Sequence, residues 1–287
     1  MNLSLEITGL TKSYVDSDFV LDDVSFSIPS GTIMGFVGEN GAGKTTTIKS
    51  ILNTVHKDSG TIRLMGQEMT DRDTALREDI GVVLDSANFP EVLTPGKLAK
   101  VMRGIYRQWD QALYVRLTDK FALPMNRKIK EFSRGMTMKL AIAAAMSHHP
   151  KLLILDEATS GLDPVTREEI LEVFLEFVED ERHAILMSSH ITSDLEKIAD
   201  HITFIHQGKI ILTAVKDELI YDYGVARCTR EQFKRIAEGD RLTYRVREHQ
   251  IDVLVEDKQG FGQKYSGVTV DQVSIDEILL LLVKGEK

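Results

Sequence analysis

GENGAGKT, running from Gly38 to Thr45, lies between a β-branched and aromatic run, TIMGFVG, and TTTIKSILNTV, whose pattern predicts a helix. Its spacing is G-x-x-x-x-G-K-[ST], and it falls where that spacing has a physical meaning, between a strand and a helix. Gly38, Gly41 and Gly43 let the backbone turn its N–H groups toward one anion with no Cβ in the way. The helix starting near Lys44 adds about half a positive charge at its first turn. Lys44 supplies a point charge suited to β- and γ-phosphates, and the Thr45 hydroxyl is a ligand suited to Mg²⁺. The same loop brings Glu39, Asn40, Ala42 and Thr46 to the expected nucleotide.

Further along, KLLILDE and HAILMSS are compact apolar runs bounded by charges and turns, as expected for strands buried on both faces. Between them PVTREEILEVFLEFVEDE predicts a helix, with Asp163 as its cap and Pro164 in its first position. Strands alternating with helices predict an α/β core around a parallel sheet. Asp156 at the end of KLLILDE suits contact with Mg²⁺. Glu157 points beyond the strand end toward the ligand crevice and is the expected general base. Two strand-like runs, SLEITGL and VLDDVSFSI, open the chain. From about Thr94 to Ala122 the pattern is helical, with Leu98, Val101, Met102 and Ile105 at three-to-four spacing. After about Thr213 the character shifts: LTYRVREHQIDVLVED predicts two strands with a polar turn. SIDEILLLLVKG reads as an amphipathic helix or as a segment ambiguous between strand and helix.

Composition bounds the classes. The 287 residues are 43% hydrophobic and 28% charged, ordinary for a globular chain. Cys228 stands alone, which fits a reducing compartment. The apolar run Ile278 to Val283 is far shorter than the roughly 20 residues that span a bilayer, and MNLSLEITGL lacks a signal-like pattern. A net charge of −9 weighs against a broad grip on nucleic acid.

GENGAGKT, FSRGM, LLILDEATSGLDP and a histidine after ILMSS follow one another in an order that resembles the nucleotide-binding subunit of an ATP-binding cassette (ABC) transporter. The resemblance implies a P-loop NTPase core with a parallel sheet, an N-terminal antiparallel β subdomain, an inserted helical subdomain at about 86–150, and a small α+β C-terminal extension. The cassette would then occupy 1–213 and the extension 214–287. It implies an ATPase using ATP and Mg²⁺, with Tyr14 stacked on adenine and His190 sensing the γ-phosphate. Ser160, Gly161 and Asp163 would form a loop communicating between two subunits. Ser133 precedes a helical run, MTMKLAIAAAMSHH, and its hydroxyl, the Gly135 amide and the helix start form a second anion site. In the family this second site acts on the partner's nucleotide, so two cassettes, identical or not, clasp ATP between them. The implied partners are that second cassette and a multi-span transmembrane permease subunit, on the inner face of the cell membrane, with no nucleic acid. The sequence is similar to bacterial exporter subunits for peptides, antibiotics or drugs.

The sequence departs from the family's commonest form in two motifs. Asp85 stands where a glutamine is usual; as a carboxylate it would join Thr45 and Asp156 as a metal ligand, at the cost of added negative charge beside the triphosphate. FSRGM replaces the commonest LSGGQ, and Arg134 either adds a cation near the partner's γ-phosphate or faces solvent. Tyr106, Trp109 and Tyr114 either carry a docking surface or pack a helical core. The extension supports pairing, regulates turnover or covers a sheet edge. A ribosome- or chromosome-acting cassette is the alternative, but neither a second cassette nor a long coiled coil is apparent. A GTPase or small-molecule kinase would leave FSRGM and SGLD without a role, and N-K-x-D is absent.

Overall fold

The computed structural model describes residues 2–15, 17–70, 73–85 and 89–286. Three sheets organise them. The first is antiparallel and combines β1 (Leu3–Tyr14), β2 (Ser17–Pro29), β4 (Ser59–Leu64) and β5 (Gln67–Glu68) in the order β2-β1-β4-β5. Leu5, Ile7 and Leu10 of β1 are buried, so one face of this sheet covers the core.

The central sheet has the order β10-β9-β3-β8-β7-β6, with β3 (Ile33–Val37), β6 (Ile80–Val83), β7 (Leu152–Asp156), β8 (Ala184–Ser189), β9 (His201–His206) and β10 (Lys209–Val215). All neighbours are parallel except β10, which runs against β9. Every residue of β3, β7 and β8 is buried, as their unbroken apolar runs require. Register sets the site: Val37 lies beside Ser189, and Asp156 beside Ser188. The glycine loop, Glu157 and His190 therefore leave the sheet at one edge, beyond the carboxyl ends of the strands.

α1 (Lys44–Ile51) follows the glycine loop, and α2 (Thr74–Glu78) precedes β6. The middle helical stretch divides into α3 (Pro95–Ile105), capped by Thr94, and α4 (Gln111–Lys120), capped by Asp110. Tyr114 is fully buried and donates its hydroxyl to the Pro95 carbonyl at 3.0 Å. Trp109 leans on that ring, and Tyr106 stacks on His148. The three aromatics thus pack inward; the exposed large apolar side chains of these two helices are Val101, Ile105 and Val115. α5 (Arg134–Met146) ends before the expected His148, and His149 takes a positive φ of 55°. α6 (Pro164–Val178) and α7 (Thr192–Ile198) flank the sheet.

The chain continues through α8 (Lys216–Tyr221), β11 (Gly224–Cys228), α9 (Arg230–Phe233), β12 (Thr243–Val246), β13 (Ile251–Val255), α10 (Lys258–Lys264), β14 (Thr269–Gln272) and α11 (Ile275–Lys284). Its strands form a third, antiparallel sheet in the order β12-β13-β11-β14. Alternation sends Val225 and Leu254 into the cluster shared with the central sheet, while Ala226, Cys228, Val253 and Val255 build a separate one. Ile275, Ile278 and Leu281 of α11 join the shared cluster as well. This unit thus packs a face onto the cassette and adds no strand to the central sheet.

Candidate functional site

The glycine loop turns on positive φ angles at Gly41, 82°, and Gly43, 119°. A Cβ on Gly43 would stand 2.7 Å from Leu21 Cδ2, and one on Gly38 2.4 Å from the Ile205 carbonyl oxygen. The backbone passes where no side chain fits, while Gly41 faces open space. Lys44 is only 6% exposed; its ammonium donates to the Gly38 carbonyl at 2.7 Å and to that of Glu39 at 3.2 Å. Burial lowers its pKa, against the opposing pull of Glu157 and Asp156.

The Thr45 hydroxyl donates to Asp156 Oδ2 at 3.0 Å. The other Asp156 oxygen accepts from Ser188 Oγ at 2.6 Å. Glu157 has a positive φ of 55°, uncommon for a residue with a side chain. Its amide donates to the Ser188 carbonyl at 3.1 Å and to Ser188 Oγ at 3.2 Å. The Glu157 carboxylate then stands 3.9 Å from the Lys44 ammonium and accepts from His190 Nδ1 at 2.5 Å.

A cleft of about 370 Å³ opens beside these groups, lined by Tyr14, Phe19, Asn40, Gly41, Gly43, Lys44, Thr45, Thr46 and Glu157. Tyr14 is 38% exposed, with the Lys12 ammonium 5.5 Å from its ring centre. The anion cradle, a hydroxyl paired with a carboxylate, and an aromatic wall fit a Mg²⁺-bound triphosphate nucleotide. Phe19 and Ser188 were not singled out from sequence. The apolar-strand ending MSS carries a signal for Ser188, because it aligns a hydroxyl with the acid of the neighbouring strand.

Ser133, Gly135 and Asp85 are not among the residues lining this cleft. Ser133 caps α5 by accepting from the Met136 amide at 3.2 Å. Gly135 lies against Thr166 at the start of α6. Asp85 Oδ1 accepts from Arg134 Nη2 at 2.5 Å. The structure thus joins Thr45 to Asp156 and leaves Asp85 bound to the helix that follows Ser133. Asp163 caps α6 through the Thr166 amide at 3.0 Å. From the same turn of α6, Arg167 donates to the Leu162 carbonyl at 3.2 Å and faces Asp194 of α7 at 3.7 Å.

A parallel sheet with a glycine phosphate loop, an acid pair at the end of the next strand but one and a histidine beside the second acid define a P-loop ATPase. The ABC transporter family matches residues 21–160, and the chain belongs to its ATP-binding subunits, which bind and hydrolyse ATP. It is 38% identical to the lantibiotic transport ATP-binding protein SrtF of Streptococcus pyogenes, over 72% of this chain and 89% of that protein. Identity is 33% to the bacitracin transport ATP-binding protein BcrA of Bacillus licheniformis, over 78% of this chain and 72% of the relative. It is 32% to the daunorubicin/doxorubicin resistance ATP-binding protein DrrA of Streptomyces peucetius, over 83% and 74%. A solved ATP-binding subunit of an ABC transporter superposes with a TM-score of 0.67 at 28% identity, covering 80% of this chain and 93% of that one. Among the described residues no helix is long and apolar enough to cross a membrane.

Proposed function

We propose that this chain powers an exporter of peptides, antibiotics or drugs through a separate multi-span permease, with two cassettes closing over ATP. The cassette is residues 1–213 and 214–287 its extension. The names of SrtF, BcrA and DrrA support the substrate class. What carries the catalytic reading is the position of Glu157, held at one strand end between the Lys44 ammonium and the His190 ring.

Lys44 exchanges its loop carbonyls for the β- and γ-phosphates, and the loop amides from Gly38 to Thr46 bind the remaining oxygens. Tyr14 stacks on the adenine. Thr45 and Asp156 would hold Mg²⁺, which when bound would supply positive charge against that of the triphosphate. Ser188 keeps Asp156 turned toward Thr45 and fixes the Glu157 backbone. Glu157 orients the attacking water and takes its proton. His190 donates to Glu157 in the free chain and turns to the γ-phosphate in the loaded one. Ser133 and Gly135 of the second copy offer a hydroxyl, an amide and a helix start to the same phosphate. Asp85, paired with Arg134 in the free chain, stands outside this metal set. Positioning and preorganised charge supply most of the acceleration.

Glu157→Gln keeps the shape and removes the base. Turnover should fall by at least about a hundredfold while ATP still binds, and size-exclusion chromatography with ATP should show a dimer. Turnover at the parental rate would remove Glu157 from the base role.

A further inference from the structure

Asp85 and Arg134, two of the positions at which this sequence departs from the family's common form, meet in the fold. They are 49 residues apart in the chain, yet Arg134 Nη2 donates to Asp85 Oδ1 at 2.5 Å. The guanidinium also lies on Gly161, whose φ is +68°. A Cβ there would stand 3.4 Å from Arg134 Cζ and 3.5 Å from Nε. Arg134 is the first residue of α5, directly after its cap Ser133, and the first turn of this helix carries no acidic side chain. A cation at the positive end of a helix is repelled unless an anion accompanies it. Asp85 is that anion in the free chain. Both side chains are about half exposed, 52% and 55%, so the core holds neither of them.

We propose that Asp85 is a stand-in for a phosphate: it occupies Arg134 in the free cassette, and when two copies close, Arg134 exchanges it for the terminal phosphate of the ATP bound by the other copy. The inference rests on the two-copy reading above and adds a nucleotide-contacting residue to it. The direction of exchange follows from charge. A terminal phosphate carries more charge than one carboxylate and presents several oxygens to the guanidinium fork, whereas Asp85 offers a single contact. The starting contact is also easily broken, since exposed ion pairs are weak. The pair thereby sets an ATP threshold for closure: Asp85 competes for the group that grips the partner's nucleotide.

The test uses the full-length chain in the Glu157→Gln background and reads the MgATP concentration giving half-maximal dimer by light scattering. Asp85→Asn removes the competitor and should lower that concentration about two- to fivefold, the range a surface ion pair can supply. Arg134→Gln should raise it by at least as much, and Arg134→Lys should fall between. The double variant should match Arg134→Gln alone, because Asp85 acts only through Arg134. ADP affinity of the monomer and the thermal midpoint should stay at parental values in all four, which separates the effect from misfolding. An unchanged or raised concentration for Asp85→Asn would overturn the proposal. So would a double variant restored to the parental value, which would mark the pair as mutual structural compensation. If Glu157→Gln with ATP gives no dimer at all, the two-copy reading fails and the exchange fails with it.

Discussion

Ser188 shows how one hydroxyl organises two acids of different duty. It donates to Asp156 and accepts from the Glu157 amide, so the Asp156 carboxylate and the backbone of the proposed base share one anchor. A hydrogen bond to a charged group is worth about 1.5–3 kcal/mol. Ser188→Ala should therefore lower turnover at saturating ATP roughly tenfold or more, with the KM for ATP changed far less because the phosphate loop is untouched. Steady-state ATPase assays at limiting and saturating ATP check this. The candidate residues of GENGAGKT and LLILDE were legible because each is bound to a local spacing. Ser188 carries no motif of its own; its meaning comes from the register of β7 against β8.

At the level of elements, the helices around the site are tied by buried polar links. Asp194 is 2% exposed, and its Oδ2 faces the equally unpartnered Arg167 Nε. Arg167→Met leaves that carboxylate buried without a cation and should destabilise the chain by about 3–5 kcal/mol in urea unfolding. The double variant Arg167→Met/Asp194→Leu should recover most of the loss. A second link is His148, just beyond α5, whose Nε2 donates to the Ile80 carbonyl of β6 at 3.0 Å beneath the Tyr106 ring. Burial lowers its pKa from the ordinary 6.5, so the folded chain keeps it neutral where the unfolded chain takes up a proton. Stability is thus full above that value and falls as the pH drops toward the folded-state pKa. His148→Gln should flatten the decline in urea midpoint between about pH 7 and 5. The helix cap at Asp163 is readable from sequence, whereas Ser133 shows its capping role only in the fold. The break between α3 and α4 was not, because Leu98 through Ile105 continues a helical period up to a stop set by Tyr106 stacking on His148.

On the scale of the whole molecule, the C-terminal unit is joined to the cassette through a shared apolar cluster. The Ile275 amide at the start of α11 donates to Glu196 of α7 at 3.1 Å, on the helix that follows His190. Within the unit, Arg227 ties β11 to Asp252, Asp271 and Glu277 on β13, β14 and α11. Calorimetry should show one cooperative unfolding transition for the full chain. Removal of the residues after Val215 should lower the midpoint by at least about 10 °C, since it uncovers part of the shared cluster. Two separate transitions would show that the unit folds by itself.

Sequence alone determined the phosphate loop, the acid pair, the capped helices and the alternation of strands and helices, because each rests on neighbours a few residues apart. LTYRVREHQIDVLVED likewise announced β12 and β13. The strands β11 and β14 and the helix α10 escaped because they are short and become definite only when paired or packed. Tertiary structure decided the rest: that Tyr114 faces the core, that Ser188 serves both acids, and that Arg134 is already paired with Asp85. Those relations join residues tens of positions apart, and only the closure of the sheet edges and the packing of helices over them brings such groups within bonding distance.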